Sequence, residues 1–154
     1  ARFVGGDLIS SEQRKLLNVA SLVKILAMPA FGFTEGEIYR EREFVCKLPS
    51  YDFRALSGGG KAVAVGEDDG NGVIVQGALD LLRVVRRGGK ILYAEIVDYK
   101  YTSHSDEYVK NKYAPQLALY RSVVSKIYKI DESAVKTTII NIRACRQIDM
   151  GGED

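Results

Sequence analysis

The chain has 154 residues, 46% of them hydrophobic and 27% charged, which suits one soluble globular domain able to bury a core. A net charge of +2 is too small for bulk electrostatics to imply nucleic-acid binding, so any basic contact must come from a local cluster. No apolar run is long enough to span a membrane, no signal-peptide pattern appears, and two cysteines cannot make a four-ligand metal site.

The chain begins at Ala1 and enters "RFVGGDLISSEQ" directly, which reads as a piece of something longer. In the next segment Leu16, Leu17, Ala20, Val23, Leu26 and Ala27 recur at helical spacing, predicting a helix over about 11–28 that Pro29 and Gly32 stop. "EIYREREFVCKLP" predicts a strand over 37–49, with Ile38, Phe44, Cys46 and Leu48 on one parity. "SGGGKAVAVGEDDGNG" is a glycine- and acid-rich loop with room for a short strand at 62–65. Its GGGK is not a phosphate loop, because Ala62 follows Lys61 where Ser or Thr is required. A strand over 72–85, the turn RRGG and a strand over 90–102 predict a hairpin. From 106 to 130 Tyr113, Leu117, Tyr120, Val124 and Ile127 fall on neighbouring turns of a helix, and "SAVKTTIINIRACRQIDM" alternates as a final strand. Cys46 and Cys145 both lie in strand-like stretches and read as buried free thiols of a reducing cytoplasm. His104, the single histidine, lies in the polar run TSHSDE and reads as solvated rather than as part of a Ser-His-Asp triad.

The hairpin holds the oddity. Asp80 and Asp98 each stand in the apolar half of a strand, and Lys100 follows the second. Alternation puts Asp98 and Lys100 on the face of Ala94 and Ile96, and Asp80 on that of Gln76 and Ala78. If the strands pair across RRGG, both carboxylates converge at one end of the sheet. Two carboxylates with a backbone carbonyl make a hard oxygen site of the kind Mg²⁺ or Mn²⁺ takes. A lysine beside it can orient an attacking water and steady developing negative charge, a set suited to phosphodiester hydrolysis. The plainer alternative is an Asp–Lys ion pair closing a strand end, with Asp80 at the rim. Arg83, Arg86, Arg87 and Lys90 cluster at the hairpin turn, where a solvated turn is the simpler explanation than a phosphate contact.

Four pieces in order make the sequence resemble the RecB-like nuclease module of the PD-(D/E)XK superfamily, and in particular the C-terminal nuclease domain of AddA/RexA-type helicase–nucleases. REREF, at 40–44, is similar to a family strand whose acid would be Glu41. VQGALD, at 75–80, is similar to the strand whose metal-binding acid would be Asp80. VDYK, at 97–100, would supply the second acid, Asp98, and the lysine, Lys100. YAPQLALY, at 113–120, would supply Gln116 and Tyr120 from a helix. The helical spacing supports this last piece by itself: Gln116 and Tyr120 are four apart and share a face, with Tyr113 a turn earlier. An amide and a phenol there can bond a phosphate or hold a lysine, and the tyrosines can stack on unpaired bases; a polar edge on an apolar helix is the alternative.

The resemblance implies an α/β restriction-endonuclease-like fold, a central mixed sheet flanked by helices, with the whole of 1–154 as one domain. It implies Mg²⁺- or Mn²⁺-dependent cleavage of DNA strands or ends exposed by a helicase, in double-strand-break repair and recombination in the cytoplasm. Asp80, Asp98 and the carbonyl of Tyr99 would hold the metal, Lys100 would position water, and Glu41 would assist. Gln116 and Tyr120 would secure the lysine or the phosphate. Helicase domains of the same chain and a second helicase–nuclease subunit are the implied partners. Two features depart from the family: Tyr101 follows the lysine where Thr or Ser is usual, and the histidine that relatives carry on an upstream helix has no counterpart. The chain therefore reads as a C-terminal fragment starting just after that helix, expected to cleave weakly or not at all. The alternative is a non-catalytic DNA-binding or scaffolding module that kept the fold.

Overall fold

A computed structural model describes residues 10, 12, 17–49, 63–64 and 72–151. Helix α1 (Val19–Leu26) starts where the Asn18 side chain accepts the Ser21 N–H at 3.0 Å, satisfying a donor that the helix cannot. It is followed by a 3₁₀ turn, Pro29–Phe31. The predicted helix over 11–28 is thus shorter in its described part, and its positions 11 and 13–16 lie outside the described residues.

Among the described residues the sheet is six-stranded, with β1 (Glu37–Leu48), β3 (Val73–Arg87), β4 (Lys90–Lys100), β5 (Val135–Asn141) and β6 (Arg146–Asp149) side by side in that order. The two-residue β2 (Val63–Ala64) pairs with β3. The predicted 62–65 strand is confined to those two residues, and GGGK lies outside the described residues. Strands β3 and β4 form the predicted hairpin through Gly88 and Gly89, both at positive φ as a tight turn requires. Every pairing is antiparallel except β4 with β5, which run parallel because helix α2 (Asp106–Tyr128) carries the chain across one face between them. Ser105 caps α2 by accepting the Tyr108 N–H, Asp106 and Glu107 fill its first turn, and Lys129 ends it in the left-handed conformation.

The prediction for the last segment needs correction. The final segment is two strands rather than one, because residues 142–145 turn back, with Asn141 Oδ1 accepting the Ala144 N–H at 3.3 Å. Cys145 therefore sits in that turn, half-buried at positive φ, while Cys46 is buried in β1 as expected.

Apolar residues pack on both faces. Under α2 lie Leu79, Leu82, Ile96 and Ile139; under α1 and the 3₁₀ turn lie Leu81, Val97 and Ile140. Strict alternation fails at one point in each of two strands. In β1 the α2 face is supplied by Phe44, Cys46 and Leu48 but then by Tyr39, while Ile38 goes to the other face. In β3 both Leu79 and Leu82 reach the α2 face, with Leu81 opposite. The predicted shared parity of Ile38 and Phe44 is therefore wrong, and Glu41 is the reason: its φ of 48° reverses the strand's faces. The register passes from Arg40↔Leu81 to Arg42↔Leu79 without slipping, so the position opposite Glu41 is Asp80, and both strands reverse together.

Glycine is required at Gly72, which leads into β3 with φ 110°; a Cβ there would stand 2.5 Å from the Leu48 carbonyl oxygen. At Gly89, φ 78°, nothing lies within 4 Å of an added Cβ. We expect Gly89→Ala to cost only the left-handed penalty of about 1 kcal/mol, and Gly72→Ala distinctly more. Urea midpoints of the two variants check this; equal midpoints would refute the close approach.

Candidate active site

The pairing of β3 with β4 runs from the turn to Leu81↔Val97 and goes no further. Beyond that point the backbone ladder is replaced by a side chain: Asp80 Oδ2 accepts the Tyr99 N–H at 2.8 Å. In an extended strand the N–H and C=O of one residue point to the same edge, so the Tyr99 carbonyl opens onto this same seam. The Lys100 carbonyl faces the opposite edge, where it accepts the Ile142 N–H at 2.8 Å. Asp80 is thus anchored at the peptide that joins Asp98 to Tyr99.

Asp98, only 2% exposed, and Lys100 are two apart in β4 and share the α2 face with Ala94 and Ile96, as alternation predicts. The Lys100 ammonium pairs with Asp98 Oδ2. The other carboxylate oxygen, Oδ1, accepts from Gln116 Nε2 at 3.4 Å, a contact at the long, weak end of hydrogen bonding. The same amide donates to the Tyr120 hydroxyl at 3.0 Å. Tyr120 is buried and meets Phe44 edge-on at 5.8 Å, so strand β1 sets the ring that sets the amide. Tyr113, one turn earlier, lies under the Lys100 ammonium at 4.6 Å from the ring centre. An ammonium has three donors; among the described residues one meets Asp98 and another the Tyr113 π face, which leaves one for an incoming group.

Sequence placed Gln116 and Tyr120 as holding the lysine or the phosphate. The described hydrogen bonds of the Gln116 amide go to Asp98, which itself pairs with Lys100, and to the Tyr120 hydroxyl. Glu41 is not on this seam: it stands in β1, on the other side of β3 and opposite Asp80 across the β1–β3 ladder, exposed and with no contact to this group among the described interactions. Its nearness is felt by Tyr99, whose phenol is pushed above its ordinary range by burial first and by Asp80 next. Arg40 pulls the other way, and Glu41 adds a smaller upward push. The Tyr99 ring itself lies on the far face of the sheet, stacked on Phe31 at 6.2 Å.

The structure adds a residue that sequence reasoning passed over. Asn141 is fully buried, stands beside Lys100 in the parallel register, and its Nδ2 has no hydrogen-bond partner among the described residues. The signal was the polar residue closing the run TTIIN, where a buried strand should end on hydrocarbon. The basic hairpin turn is far from these groups, about 23 Å along β3 from Asp80 at 3.3 Å per residue. There Arg83 pairs with Glu95 at 2.6 Å and Arg86 with Glu37 at 3.2 Å.

A family model for the PD-(D/E)XK nuclease superfamily matches residues 14–151. The chain belongs to the PD-(D/E)XK nuclease superfamily. No curated protein matches it in sequence at a significant level. Membership gives the α/β sheet its name: it is the restriction-endonuclease-like fold, with the carboxylates of this PD-(D/E)XK chain where β3 and β4 part. Among the described residues no three His, Cys, Asp or Glu side chains cluster as a metal site. The oxygen donors at the seam still fit a divalent cation that keeps several waters: the Asp80 and Asp98 carboxylates and the Tyr99 carbonyl are hard ligands.

Breaking a buried ion pair from one side leaves a charge without compensation. We expect Lys100→Met to lower stability by about 3 kcal/mol, and Asp98→Asn added to it to recover a large part. Urea unfolding of both variants checks the order; a Lys100→Met chain as stable as wild type would show that the pair is solvated.

Proposed function

We propose that this PD-(D/E)XK domain is a metal-dependent deoxyribonuclease, and the observation that carries the reading is the buried Asp98–Lys100 pair. It is steadied by Gln116 at the one place where β4 leaves β3. A functionless sheet would fill that place with hydrocarbon at lower cost, since two buried charges must be desolvated to meet there. Asp80, Asp98 and the Tyr99 carbonyl would hold Mg²⁺ or Mn²⁺, and the ion would supply neutralisation of phosphate charge and a more acidic water. Lys100, its position set by Asp98 and by the Tyr113 ring, would orient an attacking water or meet a phosphoryl oxygen. Gln116 and Tyr120 keep the Asp98 carboxylate in one rotamer. Glu41, opposite Asp80 across the β1–β3 ladder, would assist at the metal or at the water.

The finer reading is that of an ATP-dependent helicase–nuclease of the AddA/RexA type, acting on strands exposed during double-strand-break repair and recombination in the cytoplasm. It rests on the ordered motifs REREF, VQGALD, VDYK and YAPQLALY. Helicase domains in the same polypeptide and a second subunit are the partners it calls for. A specific observation also favours a second reading: His104, the single histidine, stacks on Tyr108 outside the carboxylate group, so no imidazole stands with Asp80 and Asp98. A non-catalytic DNA-binding module is what would remain if two carboxylates cannot hold the cation.

Calorimetry with Mn²⁺ should show weak binding to this chain that Asp98→Ala removes. In the longest natural form that cleaves DNA, Lys100→Ala should cut metal-dependent cleavage about a hundredfold or more, with unwinding intact where a helicase is present. Near wild-type cleavage by that variant would make Lys100 structural; no cleavage by any form, with metal and DNA present, would favour the non-catalytic module.

A further inference from the structure

On the exposed side of α2 a row of rings and cations leads away from Lys100. Lys112 lies 5.5 Å from the Tyr113 ring centre and 5.6 Å from that of Tyr108, so it bridges the two. Tyr108 is 44% exposed and carries His104 against its ring, centre to centre 4.1 Å and tilted 30°. Tyr101, at 74% exposure, stands in the segment between β4 and α2 with the Arg143 guanidinium 5.9 Å above it. The nearby acid Asp106 is answered by Arg146 at 3.0 Å. Tyr108 and Lys112 are one helical turn apart, and Tyr108 to Gln116 is about 12 Å along the axis, a span of a few nucleotides.

We propose that His104, Tyr108, Lys112 and Tyr101 with Arg143 form a track for unpaired DNA that delivers the strand to Lys100. Rings exposed at helical spacing with an ammonium between them match the two demands of a single strand, a flat surface for bases and a cation for phosphates. A duplex keeps its bases stacked inward and offers these rings nothing. The contrast with the hairpin turn is chemical: there Arg83 and Arg86 are bound to carboxylates, whereas Lys112 and Arg143 rest on π faces that leave their donors for phosphate. The track rests on the nuclease reading for what it delivers, but not for whether it binds.

The test is fluorescence anisotropy with labelled oligo-dT longer than about sixteen nucleotides, in EDTA so that nothing is cut. Tyr108→Ala should weaken binding about tenfold or more, while Tyr108→Phe, which keeps the ring, stays within about twofold. Lys112→Gln should flatten the dependence of log K on log salt by about 0.7, the value for one phosphate on a single strand. Binding of a blunt duplex should not change. Oligo-dT binding equal in wild type and Tyr108→Ala overturns the track, as does no binding by wild type. Equal losses for duplex and single strand would also overturn it, by making the patch a general electrostatic contact. Intact Tyr108-dependent binding in a protein that never cleaves would sustain the track and sink the catalytic reading alone.

Discussion

The arrangement turns on the hydrogen bond from the Tyr99 N–H to Asp80 Oδ2. A strand amide left without a partner in a buried sheet costs a few kcal/mol, so β4 can leave β3 only if something else accepts that proton. Asp80 does so, and the substitution has two effects. It gives a carboxylate that is only 7% exposed a partner that its burial demands. It also turns the Tyr99 carbonyl toward the seam beyond the last β3–β4 pair, Leu81↔Val97. The oxygen-lined seam follows from trading one ladder bond for one side-chain bond.

The reversal of faces at Glu41 and Asp80 solves a packing problem created by that trade. A carboxylate in the middle of β3 interrupts the apolar row beneath α2. Because β1 and β3 reverse together, Leu79 and Leu82 still both reach the core, and Phe44 and Tyr39 still both lie under the helix. The two acids are thereby confined to one rung, with Asp80 buried between Leu79 and Leu81 and Glu41 left exposed between Arg40 and Arg42. Phe44 then locates Tyr120, Tyr120 locates Gln116, and Gln116 locates Asp98. Strand β1 thus contributes to the carboxylate group through this relay.

Much of this was legible in the sequence because it depends on local period. The hairpin, the face shared by Asp98 and Lys100, and the face shared by Gln116 and Tyr120 all follow from alternation and helical spacing. The long helix was legible even through Pro115, which removes one backbone donor near an exposed turn without breaking the pattern. What failed depends on backbone states that composition does not announce. A glutamate at positive φ looks like any strand residue, so the parity of Ile38 was read wrongly. The turn at 142–145 was hidden because Ile142 and Ala144 continue the alternation of Ile140, while the decisive signal, Asn141 folding back on the Ala144 N–H, is a side-chain bond. Nor could spacing reveal that the Gln116 amide would bond Asp98 and Tyr120, since that depends on how far α2 stands from the sheet.

The Asp98–Lys100 pair also explains why the site and the aromatic row belong together. A lysine fixed by one carboxylate and one ring has little freedom, so what it meets must arrive from the side its third donor faces. Tyr113 forms the wall on one side of that donor and is at the same time the last ring of the row that begins at His104. One residue thus serves both the ion pair and the approach. A strand lying on the row has its bases occupied by rings and its phosphates drawn along Lys112 toward Lys100, and no second cation is needed to turn it inward. The small net charge of the chain is consistent with such a design, because a track built on stacking needs few cations.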